Sequence, residues 1–181
     1  MIWNLFKKKK EEEINELDSL VLSKMKPGFL VDYDMKTYRV SSRNVYKWQE
    51  GGVTDEWELK QGQEVLYLER EEEDGEVLWT ITRKTHIGVI EGDIARHIID
   101  HEDPPEKVVC EETTFHLEED DIGEYFKGDN KEGLKFVVWD YTDERQEKQL
   151  SIEQWGETKF DVALGQEVEE YQFSNILPGE R

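Results

Sequence analysis

The chain has little with which to do covalent chemistry. It holds one cysteine, Cys110, among 181 residues, so no internal disulfide can form and the core must hold together by packing alone. No stretch approaches the ~20 apolar residues of a membrane-spanning helix. A secretory signal places its positive charge ahead of its apolar run. Here the hydrophobes of "MIWNLFKKKK" come first, so a cytoplasmic location is expected. Basic residues are scarce as well. Forty-four Asp and Glu stand against 23 Lys and Arg, for a net charge of −21, which repels nucleic acid, whose binding proteins neutralise phosphates with Lys and Arg. There is no Gly-x-Ser-x-Gly elbow, Walker loop or dinucleotide fingerprint. The sequence therefore carries no enzyme signature and implies no cofactor.

Aromatic residues are what it does have. They make up 11%, with six Trp, seven Tyr and seven Phe, which is not the aromatic-poor composition of a disordered chain. The length suits one sizeable domain, or two small ones packed together.

In "EEEINELDSLVLSKMKPG" Ile14, Leu17, Val21 and Met25 recur at helical spacing before Pro27-Gly28, so an amphipathic helix is expected from about Glu11. Lysines in a first turn would oppose the helix dipole, which leaves Lys7 to Lys10 outside it. From Phe29 the period changes to two. "FLVDYDMKTYRV" reads as two strands joined at Asp34-Met35, and "TDEWELKQGQEVLYLEREEEDGEVLWTITR" as three more, turning at Gln61-Gly62 and Asp74-Gly75. Trp57, Leu59, Val65, Tyr67, Val77 and Trp79 alternate with polar or charged residues, the pattern of antiparallel strands with one face in water.

Ile87, Ile90, Ile94 and Ile98 then recur three or four apart before Pro104-Pro105, so a short helix is expected from about Glu91 to Asp100. The remainder is β again and echoes the first half. Thr37 to Val40 matches Thr114 to Leu117, Trp57-Glu58-Leu59 matches Leu150-Ser151-Ile152, Leu66-Tyr67-Leu68 matches Phe160-Asp161-Val162, and Trp79-Thr80-Ile81 matches Tyr171-Gln172-Phe173. The expected fold is mainly β: two similar antiparallel meander or partial-barrel units, with an N-terminal amphipathic helix and a short connecting helix. The divisions fall at 1–26 for tail and helix, 27–86 for the first β unit, 87–105 for the linker and 106–181 for the second unit, the two units packing as one domain.

Within "KPGFLVDYDMKTYRV", "TDEWELKQGQEVLYLE" and "LSIEQWGETKFDVALGQEVEEYQFSNIL" lie a glycine entering the first strand and a Trp-x-Leu strand ahead of a tyrosine-bearing one. A glutamate, Glu153, precedes a glycine, Gly165, and an aromatic terminal strand. In these features the chain resembles the bacterial family known as domain of unknown function 4178, over roughly residues 26–177. The resemblance implies no activity and no site residues. It implies a bacterial setting, among membrane-stress and polyamine-related genes.

Among candidate sites, Asp93, His97 and His101 lie four apart, so one helix face could offer them to a metal. The plainer reading is the polar face of a helix whose isoleucines are buried. The acidic runs Glu71 to Asp74 and Glu118 to Asp121 lack the spaced ligands of a calcium loop and read as solvated hairpin tips. Cys110, flanked by Val109 and acids, reads as a buried structural thiol. The aromatics at strand spacing read as core or cross-strand pairs. The exception is "RNVYKWQEGGVTDEW", where Tyr46, Trp48 and Trp57 around Gly51-Gly52 could present a hairpin to a protein partner.

In the opening stretch, Trp3 and Phe6 could enter a lipid interface while Lys7, Lys8, Lys9 and Lys10 meet anionic head groups, at about 1 kcal/mol per lysine. Packing of these hydrophobes on the protein body is the competing expectation. The function expected is that of a non-enzymatic cytoplasmic binding or adaptor module with a protein partner, peripheral to the inner membrane face. The alternative is a small-molecule or metal-binding enzyme with its pocket between the two β units.

Overall fold

The structure is a computed structural model that describes residues 20–73 and 75–179. It builds from antiparallel hairpins. Strands β1 (Leu30–Tyr33) and β2 (Lys36–Trp48) turn at Asp34 and Met35, with φ of 46° and 60°. Two successive left-handed residues make the turn whose twist matches the strands it joins. The same device, at Glu111 and Glu112 with φ of 49° and 63°, joins β6 (Lys107–Cys110) to β7 (Thr113–Phe126). Strands β3 (Val53–Gln61), β4 (Glu64–Glu73) and β5 (Glu76–Thr85) continue from β2, while β8 (Leu134–Asp143), β9 (Gln149–Gln154) and β10 (Phe160–Glu167) continue from β7. Strand β11 (Phe173–Leu177) returns to pair with β1.

The two runs do not form two units, which corrects the expectation from sequence. All eleven strands belong to one sheet, ordered β11-β1-β2-β3-β4-β5-β10-β9-β8-β7-β6. It closes where β2 pairs with β7, setting Tyr46 opposite Tyr125 and Trp48 opposite Gly123. Strands β2–β5 and β7–β10 are thereby an eight-stranded antiparallel barrel, seamed at β5–β10 and β2–β7. The echo misaligned the halves. It set Trp57 of β3, the second barrel strand of its run, against Leu150 of β9, the third of the other.

Among the described residues there is a single α-helix, α1 (Ile94–His101), preceded by a 3-10 turn at Ile87–Val89. The N-terminal helix expected from Glu11 falls mostly outside the described residues. At its far end Val21 is extended and only a 3-10 turn, Leu22–Lys24, follows. Glu118 to Asp121 is not a hairpin tip but the middle of β7.

Most apolar side chains pack on the outside of the barrel, while Tyr46, Trp48, Phe136, Val138 and Trp155 form a smaller cluster inside it. Trp57, Leu59, Leu68 and Ile81 from β3–β5 lie in one cluster with Leu22, Met25, Val31 and Phe173, so the residues before β1, together with β1 and β11, cover that face. Trp57 is wholly buried, and its Nε1 donates to the Met25 carbonyl at 2.9 Å. On β7–β10, Phe115, Trp139, Leu150, Ile152 and Val162 lie in a second cluster, capped by Ile94 and Ile98 of α1 and by β6. Burying a side chain of this size is worth about 1.5–3 kcal/mol.

Two bulges re-aim the long strands. In β2, Val40 pairs with Leu59 and Ser42 with Glu58, leaving Ser41 extra. In β7, Leu117 pairs with Tyr141 and Glu119 with Asp140, leaving Glu118 extra. One extra residue inverts the alternation. Tyr38 and Val40 therefore face the first apolar cluster while Asn44, Tyr46 and Trp48 turn into the barrel.

Candidate functional site

Strand alternation leaves the other face of each barrel strand to the interior, and on β3, β4 and β5 the residues there are polar. Beside Trp57 and Leu59 stand Thr54 and Glu56; beside Leu68 stand Tyr67 and Glu69; beside Ile81 stand Thr80, Thr82 and Lys84. In water these would be the solvated side of a sheet. Closure makes them the lining of a lumen.

One group of these side chains is fully partnered. The Glu56 carboxylate has no solvent exposure. It accepts from Asn44 Nδ2 at 2.7 Å, Tyr46 hydroxyl at 2.9 Å and Tyr125 hydroxyl at 3.3 Å, and lies 3.2 Å from Lys84 Nζ. Lys84 Nζ also lies 3.0 Å from the Tyr46 hydroxyl and 4.6 Å from the centre of the Tyr67 ring. Burial alone would lower the lysine's proton affinity, but Glu56, Glu153 and Glu69 outweigh it and hold the ammonium above its usual range. Lys84 is a fixed cation, neither a base nor a nucleophile.

A second group is not neutralised. A cavity of about 220 Å3 lies in the barrel, with lining side chains from all eight strands, among them Glu69, Asp140, Ser151 and Glu153. Leu78, Glu118 and Glu119 are exposed at its rim. Glu153 is 7% exposed, yet no hydrogen bond or ion pair to it is formed among the described residues. Glu69 receives one long bond, 3.3 Å from Thr82 Oγ1, and Asp140 one from Ser151 Oγ. Burial is the main cause that pushes Glu69 up to about 8, Glu153 up to about 7 and Asp140 up to about 6. The Glu56 charge adds to the first two; Glu119 and Glu71 add to the third.

A larger groove, about 370 Å3, lies on the outer surface across the β5–β10 seam. Its charged groups are paired or face water: Asp34 is exposed, and Lys148 Nζ donates to Thr113 Oγ1 at 3.2 Å. Arg83 bonds Glu111, while Glu64 receives Lys36 Nζ at 2.7 Å and the Tyr38 hydroxyl at 3.1 Å. The lumen is the site with unmet polar demand.

The residues singled out from sequence are dispersed. Tyr46 is 3% exposed and turned into the barrel, Trp48 stacks on it with ring centres 5.6 Å apart, and Trp57 belongs to the outer core, so the hairpin does not present them to a partner. Asp93 caps α1, accepting from Arg96 N at 3.2 Å, while the His97 and His101 rings stack at 4.3 Å and His101 Nδ1 contacts the His97 carbonyl. Among the described residues no three His, Cys, Asp or Glu form a metal-holding group. Cys110 is fully buried and its thiol is pushed up by burial and by Glu111. Trp3, Phe6 and Lys7 to Lys10 lie outside the described residues, among which no helix is long and apolar enough to cross a membrane.

Sequence reasoning passed over Glu56, Glu69, Lys84 and Asp140, and used Glu153 and Gly165 only for a resemblance. Both of those line the lumen. The available signal was acids at the inward positions of strands whose other face is aromatic, as in Glu56-Trp57-Glu58.

Comparison with known proteins bears on these same residues. The family model described as Domain of unknown function (DUF4178) matches residues 26–170, a span that contains all eight barrel strands. An uncharacterized protein of Aquifex aeolicus (strain VF5) is 25% identical over 177 residues, covering 98% of this chain and 96% of its own length. No solved structure matches.

Proposed function

We propose that this chain, which belongs to the family described as Domain of unknown function (DUF4178), is a binding protein that admits a small molecule to the lumen of its barrel. Eight-stranded barrels either fill their interior with side chains or hold one small ligand. Here most large apolar side chains lie on the outer faces; an aromatic cluster of Tyr46, Trp48, Tyr125, Phe136 and Trp155 fills part of the interior, and beside it a cavity with an exposed rim remains. The observation that carries the reading is Glu153: a buried carboxylate, aimed into that cavity, with no donor of its own. Buried polar groups in folded proteins are almost always partnered. A ligand that supplies the donor would remove the anomaly.

A binding role fits the lumen better than catalysis. Its one lysine is held as a cation, which removes the amine nucleophile a covalent mechanism would use. The reading departs from a surface adaptor built on Tyr46, Trp48 and Trp57, since those side chains are committed to packing.

The test is a thermal-shift screen of the full chain against small metabolites grouped by charge, repeated with Ala163→Leu, which fills the cavity from β10. A ligand at a hundred times its dissociation constant stabilises by about 2.7 kcal/mol. Stabilisation of the natural sequence that is lost in Ala163→Leu supports the lumen. Equal stabilisation of both, or of neither by any class, overturns it.

A further inference from the structure

From the chemistry of the cavity wall we infer that the ligand is a small organic cation bearing a primary ammonium group, which sits against Glu153 and Asp140. This rests on the lumen being a binding site and specifies what it takes. The charged side chains lining the cavity are Glu69, Glu71, Glu118, Glu119, Asp140 and Glu153, with no lysine or arginine among them. Lys84, the nearest cation, is already held by Glu56 at 3.2 Å. An anionic ligand would meet a wall whose titratable groups are all acids, and a neutral one would bring Glu153 no charge of opposite sign. An ammonium supplies three donors and a positive charge together.

The wall is not one for a bare metal ion. Its volume of about 220 Å3 is that of about seven waters at ~30 Å3 each, and no metal-holding group of side chains is present among the described residues. Between the acids lie Tyr46, Trp48, Val138 and Ala163, apolar surface suited to a short carbon chain. The barrel already shows how it receives such a group. The ammonium of Lys84 rests between a carboxylate and the faces of Tyr67, Tyr46 and Tyr125, with ring centres 4.6, 5.7 and 5.6 Å away. Cations are drawn to aromatic faces in this way.

Proton linkage gives a second signature. Lys84 lowers the Glu153 proton affinity, while Glu56, Asp161 and Asp140 raise it, and Glu69 shares the field. With Glu153 near 7 and Asp140 near 6, an entering cation must displace protons at neutral pH, so binding should tighten as pH rises.

The experiment is calorimetric titration of the full chain with n-butylammonium at pH 8.0 and pH 5.5, beside 1-butanol, butyrate, Mg2+ and Ca2+. The expected result is saturable one-site binding of n-butylammonium at pH 8.0, at least tenfold weaker at pH 5.5, and at least tenfold weaker in Glu153→Gln. Should that variant not fold, the pH dependence of the unaltered chain decides. Binding of butyrate or butanol in place of the ammonium overturns the cation class but leaves a lumen that binds. E153Q-sensitive binding of Mg2+ or Ca2+ without the ammonium overturns the organic cation. No binding of n-butylammonium, with another class found in the metabolite screen, overturns the inference alone; none in either assay overturns both readings.

Discussion

Replacing Glu153 with Gln should stabilise the protein at alkaline pH and do nothing in acid. Gln keeps the volume and removes the charge. In the fold the Glu153 carboxyl is raised from 4.5 to about 7, with burial the largest cause. A carboxyl whose folded value lies above its unfolded one holds its proton more firmly in the folded state, so below about pH 4.5 it costs nothing. The cost grows as pH rises from 4.5 to about 7 and is complete above that. The two values differ by about 2.5, and at ~1.36 kcal/mol for each tenfold change in proton affinity the ceiling is about 3 kcal/mol. For a chain of this size that corresponds to about 6–12 °C in Tm. Lys84 does not become an orphan, because Glu56 still lies 3.2 Å from it. Urea unfolding followed by tryptophan fluorescence, from pH 4.5 to 8.5, should give curves for the two proteins that converge in acid and separate by up to this amount at pH 8. If Glu153→Gln is equally or less stable at pH 8, Glu153 is not an uncompensated acid and the argument for a ligand fails.

Glu56→Ala should act in the opposite direction, costing about 3–5 kcal/mol at pH 7 in the same assay, because it strands the buried Lys84 ammonium. Gly165→Ala should cost about 1–3 kcal/mol, since a Cβ there would stand 2.7 Å from the Ile81 carbonyl oxygen and β10 would have to shift from β5. Deleting Ser41 removes the bulge in β2 and would turn Asn44 and Tyr46 out of the barrel; near-UV circular dichroism should show loss of fixed tertiary packing. Deleting residues 1–10 should abolish co-sedimentation with anionic vesicles and leave co-sedimentation with neutral ones unchanged. Equal binding before and after the deletion would refute a membrane role for Trp3, Phe6 and Lys7 to Lys10.

Local structure was largely legible in the residues. The turns at Asp34-Met35, Gly62 and Gly75 and the change of period at Phe29 place β1, β3, β4 and β5, whereas β2 runs on to Trp48 and β7 to Phe126, well past the expected Val40 and Leu117. The isoleucine spacing finds α1 but starts it early, because Asp93 is its cap rather than its interior. The site was not legible. In chain order Glu56, Glu69, Lys84 and Glu153 are separated by 13, 15 and 69 residues, and no local spacing marks them as neighbours.

What the sequence determined by itself is the chemistry of each strand's two faces, one rich in Trp, Leu and Ile and the other in Glu, Thr and Tyr, because side chains alternate along any extended backbone. What only the tertiary structure decided is which of those faces lies inside. The β2–β7 and β5–β10 pairings, together with the bulges at Ser41 and Glu118, close the acidic face on itself and leave the aromatic face to be covered from outside. Register between strands distant in sequence is a property of the assembled sheet, so the same alternation that reads as a solvated surface becomes the lining of a charged cavity.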